Sequence, residues 1–210
     1  GCMLTPGGGK NDIPNRAKRH FHVMNVTLPS AASINQIFGS MVKAVFSEGE
    51  QPSGVAAWKE VVEVAEGHLV SMTANVWSAV KAKMLPTPAK FHYIFNLRDL
   101  SRVFQGVFQC DVKDVLEEPI DLVSLWVHEC QRVFSDRLIN LQDKSWCEQT
   151  ILGVVRSAAC LADDSPLKEE RYFVDFMRPD KEDEETGEPL PPDKVYEPAE
   201  SLEVLRDKVT

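Results

Sequence analysis

Ile34, Ile37, Phe38, Met41, Val42 and Val45 recur three and four positions apart, the interval that brings side chains onto one face of an α-helix. Ser33 and Gln36 stand in capping-box spacing, and the pattern predicts a helix over about 31–46. After a Gly- and Pro-bearing loop at 48–53, Trp58, Val61, Val62, Ala65, Leu69, Met72, Val76 and Val80 form one long stripe. A second helix is expected from there to about Met84. Pro86 and Pro88 then impose an extended connection. Asn96 is a favourable N-cap with Asp99 at the third helical position, and a third helix over about 97–108 buries Leu100, Val103, Phe104 and Val107. Leu122, Leu125, Trp126, Cys130, Val133 and Leu138 predict a fourth helix within 121–141, and Ser145 with Glu148 opens a fifth that ends near Leu161. A last helix begins near Pro198, with Leu202, Leu205 and Val209 along one side.

The helical period breaks in two places. Phe21 to Leu28 is short, β-prone and ended by Pro29, which predicts a strand. Phe173 to Met177 is strand-like as well. It is followed by the acidic run Lys181 to Glu185 and by Pro189 to Pro192, read as a mobile loop. No repeat of fixed period occurs, so the fold class is mainly α, with one strand at the N-terminal edge and a second near Phe173.

Composition narrows the function classes. A hydrophobic content of 43% and a charged content of 26% suit a chain with a packed core. A net charge of −9 argues against a nucleic-acid-binding module built on the basic N-terminal stretch, which also lacks interleaved aromatics. No apolar run approaches the roughly 18 residues that span a bilayer, and the start has no signal-peptide pattern. Cys2, Cys110, Cys130, Cys147 and Cys160 are odd in number and widely spaced, so they are read as reduced thiols rather than a disulfide framework or a zinc pair. The start at Gly1 and the unfinished alternation at Lys208 to Thr210 suggest a piece of a larger protein.

Gly7-Gly8-Gly9, with Arg16, Lys18 and Arg19 a few residues on, places a tight backbone beside cations. It is no P-loop, since G-x-x-x-x-G-K-[ST] does not occur, and no apolar strand ends in paired acids for magnesium. The stretch Pro6-Gly-Gly-Gly-Lys-Asn-Asp-Ile-Pro-Asn-Arg-Ala-Lys-Arg-His-Phe21 resembles the segment after the Walker B strand in a dynein heavy chain AAA+ module. It is most similar to the third module of the axonemal dyneins, PGGG(R/K)NDIPxRLKRxF. His92-Tyr-Ile-Phe-Asn-Leu-Arg-Asp-Leu-Ser-Arg102 resembles the HYxFNLRDLSR segment of the same module's small helical subdomain, and Leu125 to Arg137 resembles the segment that follows it.

The resemblance implies the C-terminal part of that module: residues 1–29 as the end of the large α/β subdomain with a remnant strand, 30–142 as the helical lid, and 143–210 as a link toward the fourth module. Arg98 takes the sensor II position, where an arginine in the first turn of a capped helix can fork onto phosphate. Arg102, four residues on, supplements Arg98 or pairs with Asp99 or Asp114. Arg19 matches an arginine finger for nucleotide on the preceding module, with Arg16 as the alternative one turn away. Thr5 falls at sensor I, where other modules of the family carry asparagine; a threonine is the weaker group for positioning water, and a turn-capping hydroxyl is the other reading. ATP or ADP with Mg is implied in the intact module, with none bound by the isolated chain. The implied partners are the rest of the heavy chain ring, other dynein subunits and, through the whole motor, microtubules. The implied place is the cytoskeleton of a cilium or flagellum. A helical scaffold or adaptor without nucleotide chemistry is the rival reading.

His128-Glu129-Cys130 invites a metal or a nucleophile–base pair, but neighbouring helical side chains point about 100° apart and no second ligand stands four residues away. Glu129 is expected to pair with Arg132 or Arg137. Trp58, Trp77, Trp126 and Trp146 are expected as core anchors.

Overall fold

The computed structural model describes residues 2–3, 12–46, 58–110, 115–161, 167, 171–178, 181–182, 189–190, 194–199 and 201–209. The chain divides into two units, Gly1–Ser30 and Ala31–Thr210.

Among the described residues of the first unit the one regular element is a single helical turn, α1 (Asn15–Lys18), entered from Pro14. The strand expected over 21–28 is not formed: the segment carries no strand pairing, and Phe21, Val23, Met24, Val26 and Leu28 are exposed. The sequence has β character, but a strand is satisfied only by a neighbour's N–H and C=O groups, and no described residue supplies them. Thr5 and Gly7-Gly8-Gly9 lie outside the described residues.

The second unit is a helical body. Helix α2 (Ala31–Val45) turns Ile34, Phe38 and Val42 inward. Helices α3 (Trp58–Val64) and α4 (Val70–Lys83) are joined without a break by a π-helical turn at Ala65–Leu69, so the stripe from Trp58 to Val80 stays on the core side of one long rod. Helix α5 (Leu97–Gln109) follows the extended proline segment. Helix α6 (Pro119–Cys130) carries proline in its first turn and runs into a second π-turn at Gln131–Ser135. Helix α7 (Leu141–Ala158) starts from Asn140, five residues ahead of the expected Ser145, and ends at Ala159. The capping boxes expected at Ser33 and Ser145 thus lie inside helices; those at Asn96 and Glu118 are the ones made.

Two short antiparallel ribbons follow. Strand β1 (Phe173–Val174) pairs with β4 (Glu197–Pro198), and β2 (Lys181–Glu182) pairs with β3 (Pro189–Leu190) inside the stretch read as a loop. Residues 183–188 and 191–193 of that stretch lie outside the described residues. Pro198 belongs to β4 rather than to a helix, and α8 (Leu202–Val209) begins after it.

The core is continuous from α2 to α7 and includes Phe173 of β1. Trp58, Trp77 and Trp126 are buried in it, while Trp146 is half-buried under the Lys83 ammonium, 4.7 Å from its ring. Trp126 donates its indole N–H to Thr73 Oγ1 at 2.8 Å, and Thr73 in turn donates to the Leu69 carbonyl inside the first π-turn. A buried donor on α6 is thereby satisfied by a hydroxyl of α4 that is itself tied to the widened turn. Cys110, Cys130 and Cys147 are buried thiols. Burial pushes the Cys130 thiol well up and that of Cys147 to about 12, so both stay protonated at neutral pH.

Candidate functional site

Helix α5 begins in a doubly fixed cap. The Asn96 side chain accepts the Arg98 backbone N–H at 2.9 Å, and Asp99 accepts the Asn96 N–H at 2.8 Å. Both orphan donors of the first turn are satisfied reciprocally. Asp99 is almost fully buried, and its second oxygen takes the Arg137 guanidinium at 2.7 Å. Arg137 also donates to the Ile94 carbonyl at 3.2 Å and lies over the Phe95 ring. Asn96 and Asp99 within the turn, and Arg137 from 38 positions away, thus lock the turn that carries Arg98.

Arg98 itself is exposed on that turn, and Arg102 is exposed one turn later on the same face. No described carboxylate pairs with either; Asp99, a candidate partner for Arg102, is held by Arg137 instead. Asp114 lies outside the described residues. Arg102 lines an open groove of about 520 Å³ between α5 and the second π-turn, with Gln105, Gln109, Arg132, Asp136 and Arg137. Arg98 does not line it. The groove is polar and mixed in charge, because Arg132 is bound to Glu129 and Arg137 to Asp99.

The segment before the cap is fixed with equal care. Tyr93 accepts the Ile139 N–H at 2.9 Å and donates to Asp143 at 3.1 Å, while Lys90 pairs with the same carboxylate. The Lys90 ammonium beside Asp143 holds that carboxyl below its usual range. His92 bonds the Arg137 carbonyl at 3.1 Å. The motif His92 to Arg102 is therefore anchored on residues 137–143, which meet it only in the folded chain.

In the first unit, Arg16 and Arg19 are exposed, one turn apart, around α1. Arg19 donates to the His20 ring at 3.2 Å, and Lys18 is engaged by Asp12 at 2.7 Å. Chemically, these sites offer forked cationic donors suited to phosphate oxygens. Among the described residues there is no cluster of three His, Cys, Asp or Glu fit for a metal ion. No helix of the described residues is long and apolar enough to cross a membrane.

The AAA+ lid domain family matches residues 69–165, which hold α4 to α7 and the whole capped turn. The chain is 46% identical over 191 residues, 84% of its length, to the dynein gamma chain of the flagellar outer arm from Chlamydomonas reinhardtii. It is 41% identical over 217 residues, all of its length, to dynein axonemal heavy chain 5 from Rattus norvegicus, and 41% identical over 213 residues to dynein axonemal heavy chain 8 from Mus musculus. The chain is an axonemal dynein heavy chain homologue with an AAA+ lid domain. It spans 4% to 6% of the length of these dyneins.

Within the lid lie Arg98 and Arg102; Arg16 and Arg19 lie outside the matched residues. What sequence reading of this dynein homologue missed is the support around the site, Arg137 on Asp99, and, away from it, Glu129 reaching across to Gly106 and Tyr196. Arg137 stands 38 positions from Asp99 and Tyr196 stands 67 from Glu129, separations that no helical periodicity can connect.

Proposed function

We propose that this chain is the lid and flanking part of the third AAA+ module of an axonemal dynein heavy chain, a motor for ATP-driven, microtubule-based movement of cilia or flagella. The wording of Pro6 to Phe21 and of His92 to Arg102 supports the choice of module, and the similarity to named axonemal and flagellar dyneins supports the location in the axoneme. In the whole motor the partners are the neighbouring modules of the ring, other dynein subunits and microtubules.

The observation that carries the reading is the placement of Arg98: an exposed guanidinium on a turn locked by Asn96, Asp99 and Arg137. A pre-positioned fork loses little entropy when it engages phosphate oxygens. Arg98, supplemented by Arg102, would hold the phosphates of ATP or ADP, bound with Mg in the intact module. The nucleotide supplies the phosphoryl group whose binding and loss drive the motor. Arg98 draws the lid toward that charge, so that closure is a rigid-body movement of the second unit. Arg19, with Arg16 as the alternative, would neutralise charge on nucleotide of the preceding module, and Thr5 would orient a polar group near the γ-phosphate. Alone, the chain is expected neither to bind ATP tightly nor to hydrolyse it.

The test is nucleotide affinity of the third module in the whole heavy chain carrying Arg98→Ala, with Arg98→Lys beside it. A loss of about tenfold or more in the alanine variant, partly restored by lysine, is expected for one charge-assisted contact. Unchanged affinity in Arg98→Ala would remove Arg98 from the site.

A further inference from the structure

Glu129 is fully buried on α6, yet the lid site makes no use of it. One of its oxygens accepts from Arg132 Nε at 3.0 Å and from Nη2 at 2.5 Å; the other accepts the hydroxyl of Tyr196. Behind the carboxylate stands Gly106 of α5, so close that a methyl group there would overlap it. One side chain therefore touches α5, its own helix and the C-terminal segment.

That segment, residues 171–174 with 194–199, forms a strap over α6. Its strands are two residues each, supplemented by a bond from Ala199 N–H to the Tyr172 carbonyl at 2.7 Å and by the partly exposed Arg178–Glu197 ion pair at 2.9 Å. A ribbon so short has no stability of its own. Phe173 enters the core, and the rings of Tyr172, Phe173 and Tyr196 surround His128 at 5.7–6.4 Å between ring centres. His128 also hydrogen-bonds the Phe173 backbone, while the pair Arg171 to Asp121 is partly exposed and contributes little. Apart from Phe173, the strong contact is thus the Tyr196 hydroxyl on a buried carboxylate, worth more than a neutral hydrogen bond.

We propose that Glu129 is a latch: through Tyr196 it docks the strap onto the lid in one body with α5, and loss of that bond releases the strap alone as a local opening. Few buried contacts on the strap, set against a continuous core beneath it, are the conditions under which a segment opens independently. The inference goes beyond the nucleotide reading and does not depend on it, since no residue of the latch touches the Arg98 turn.

Hydrogen exchange of the 210-residue chain with Tyr196→Phe tests it. The variant removes one oxygen and keeps the ring. The amides of Phe173, Val174, Glu197 and Ala199 are expected to exchange about 10- to 100-fold faster, the effect of one hydrogen bond to a charged acceptor. Amides of α4, α6 and α7 should keep their rates. Phe173→Ala, which strips the core ring from the strap, sets the rate of the undocked segment. Unchanged exchange in the strap of Tyr196→Phe would overturn the latch, and so would equal acceleration of the strap and α6.

Discussion

Adding a methyl group at Gly106 gives a sharp test of the packing around Glu129. A Cβ at that position would stand 2.7 Å from Glu129 Oε1 and closer still to Oε2 and Cδ, distances that no carbon–oxygen contact tolerates. The carboxylate cannot withdraw freely, because it is buried and bound to Arg132 and Tyr196. Gly106→Ala therefore forces either a shift of α5 or loss of the Glu129 hydrogen bonds. Overpacking costs about 1–3 kcal/mol, and each hydrogen bond to a charged group about 1.5–3 kcal/mol. Alanine's better helix propensity returns about 1 kcal/mol. With overpacking and one such bond lost together, the net expectation is a loss of about 1.5–5 kcal/mol, or roughly 3–20 °C in Tm for a unit of this size. Urea and thermal unfolding followed by circular dichroism measure it. Glu129→Ala in the same chain removes the obstacle, so the double variant should show a coupling of at least about 1 kcal/mol relative to the sum of the singles. If Gly106→Ala were neutral or stabilising, the carboxylate could not lie against α5, and the reasoning on the latch would fall with it.

Three further outcomes are expected. Arg137→Ala leaves the buried Asp99 with only its cap hydrogen bond and should cost about 2–4 kcal/mol in denaturant unfolding, with Arg137→Lys recovering part of it. Ala159, at φ 48° and ψ 33°, ends α7 in the left-handed region, so Ala159→Gly should stabilise by about 1 kcal/mol in the same assay. His128 is pulled below its ordinary value of 6.5 chiefly by burial. It is neutral in the fold while the unfolded chain takes up a proton, so stability falls as pH drops from about 6.5 toward the lowered value and is flat above that window. His128→Phe should remove that slope, as unfolding at a series of pH values would show.

Local chemistry in the chain determined most of the helical body. Apolar residues at helical spacing marked α2, the long rod from Trp58 and helix α5, because one buried stripe suffices to orient a helix. Asn96 with Asp99 marked the capped turn that presents Arg98, since both partners lie within one turn of each other. Arg132 was legible as a partner of Glu129 for the same reason. The two π-turns were not legible: apolar spacings of three and four residues run through both and fit an unbroken α-helix equally well. The strand over 21–28 was over-read, because alternation signals a surface that fits a sheet and not the neighbour that completes it. Likewise, Arg137 on Asp99 and Tyr196 on Glu129 join positions far apart in sequence, and whether a buried carboxylate meets an arginine or a tyrosine was decided only when the helices packed. Gly106 carries that point furthest: in sequence it is a weak spot in a helix, and in the fold it is the notch that admits a carboxylate.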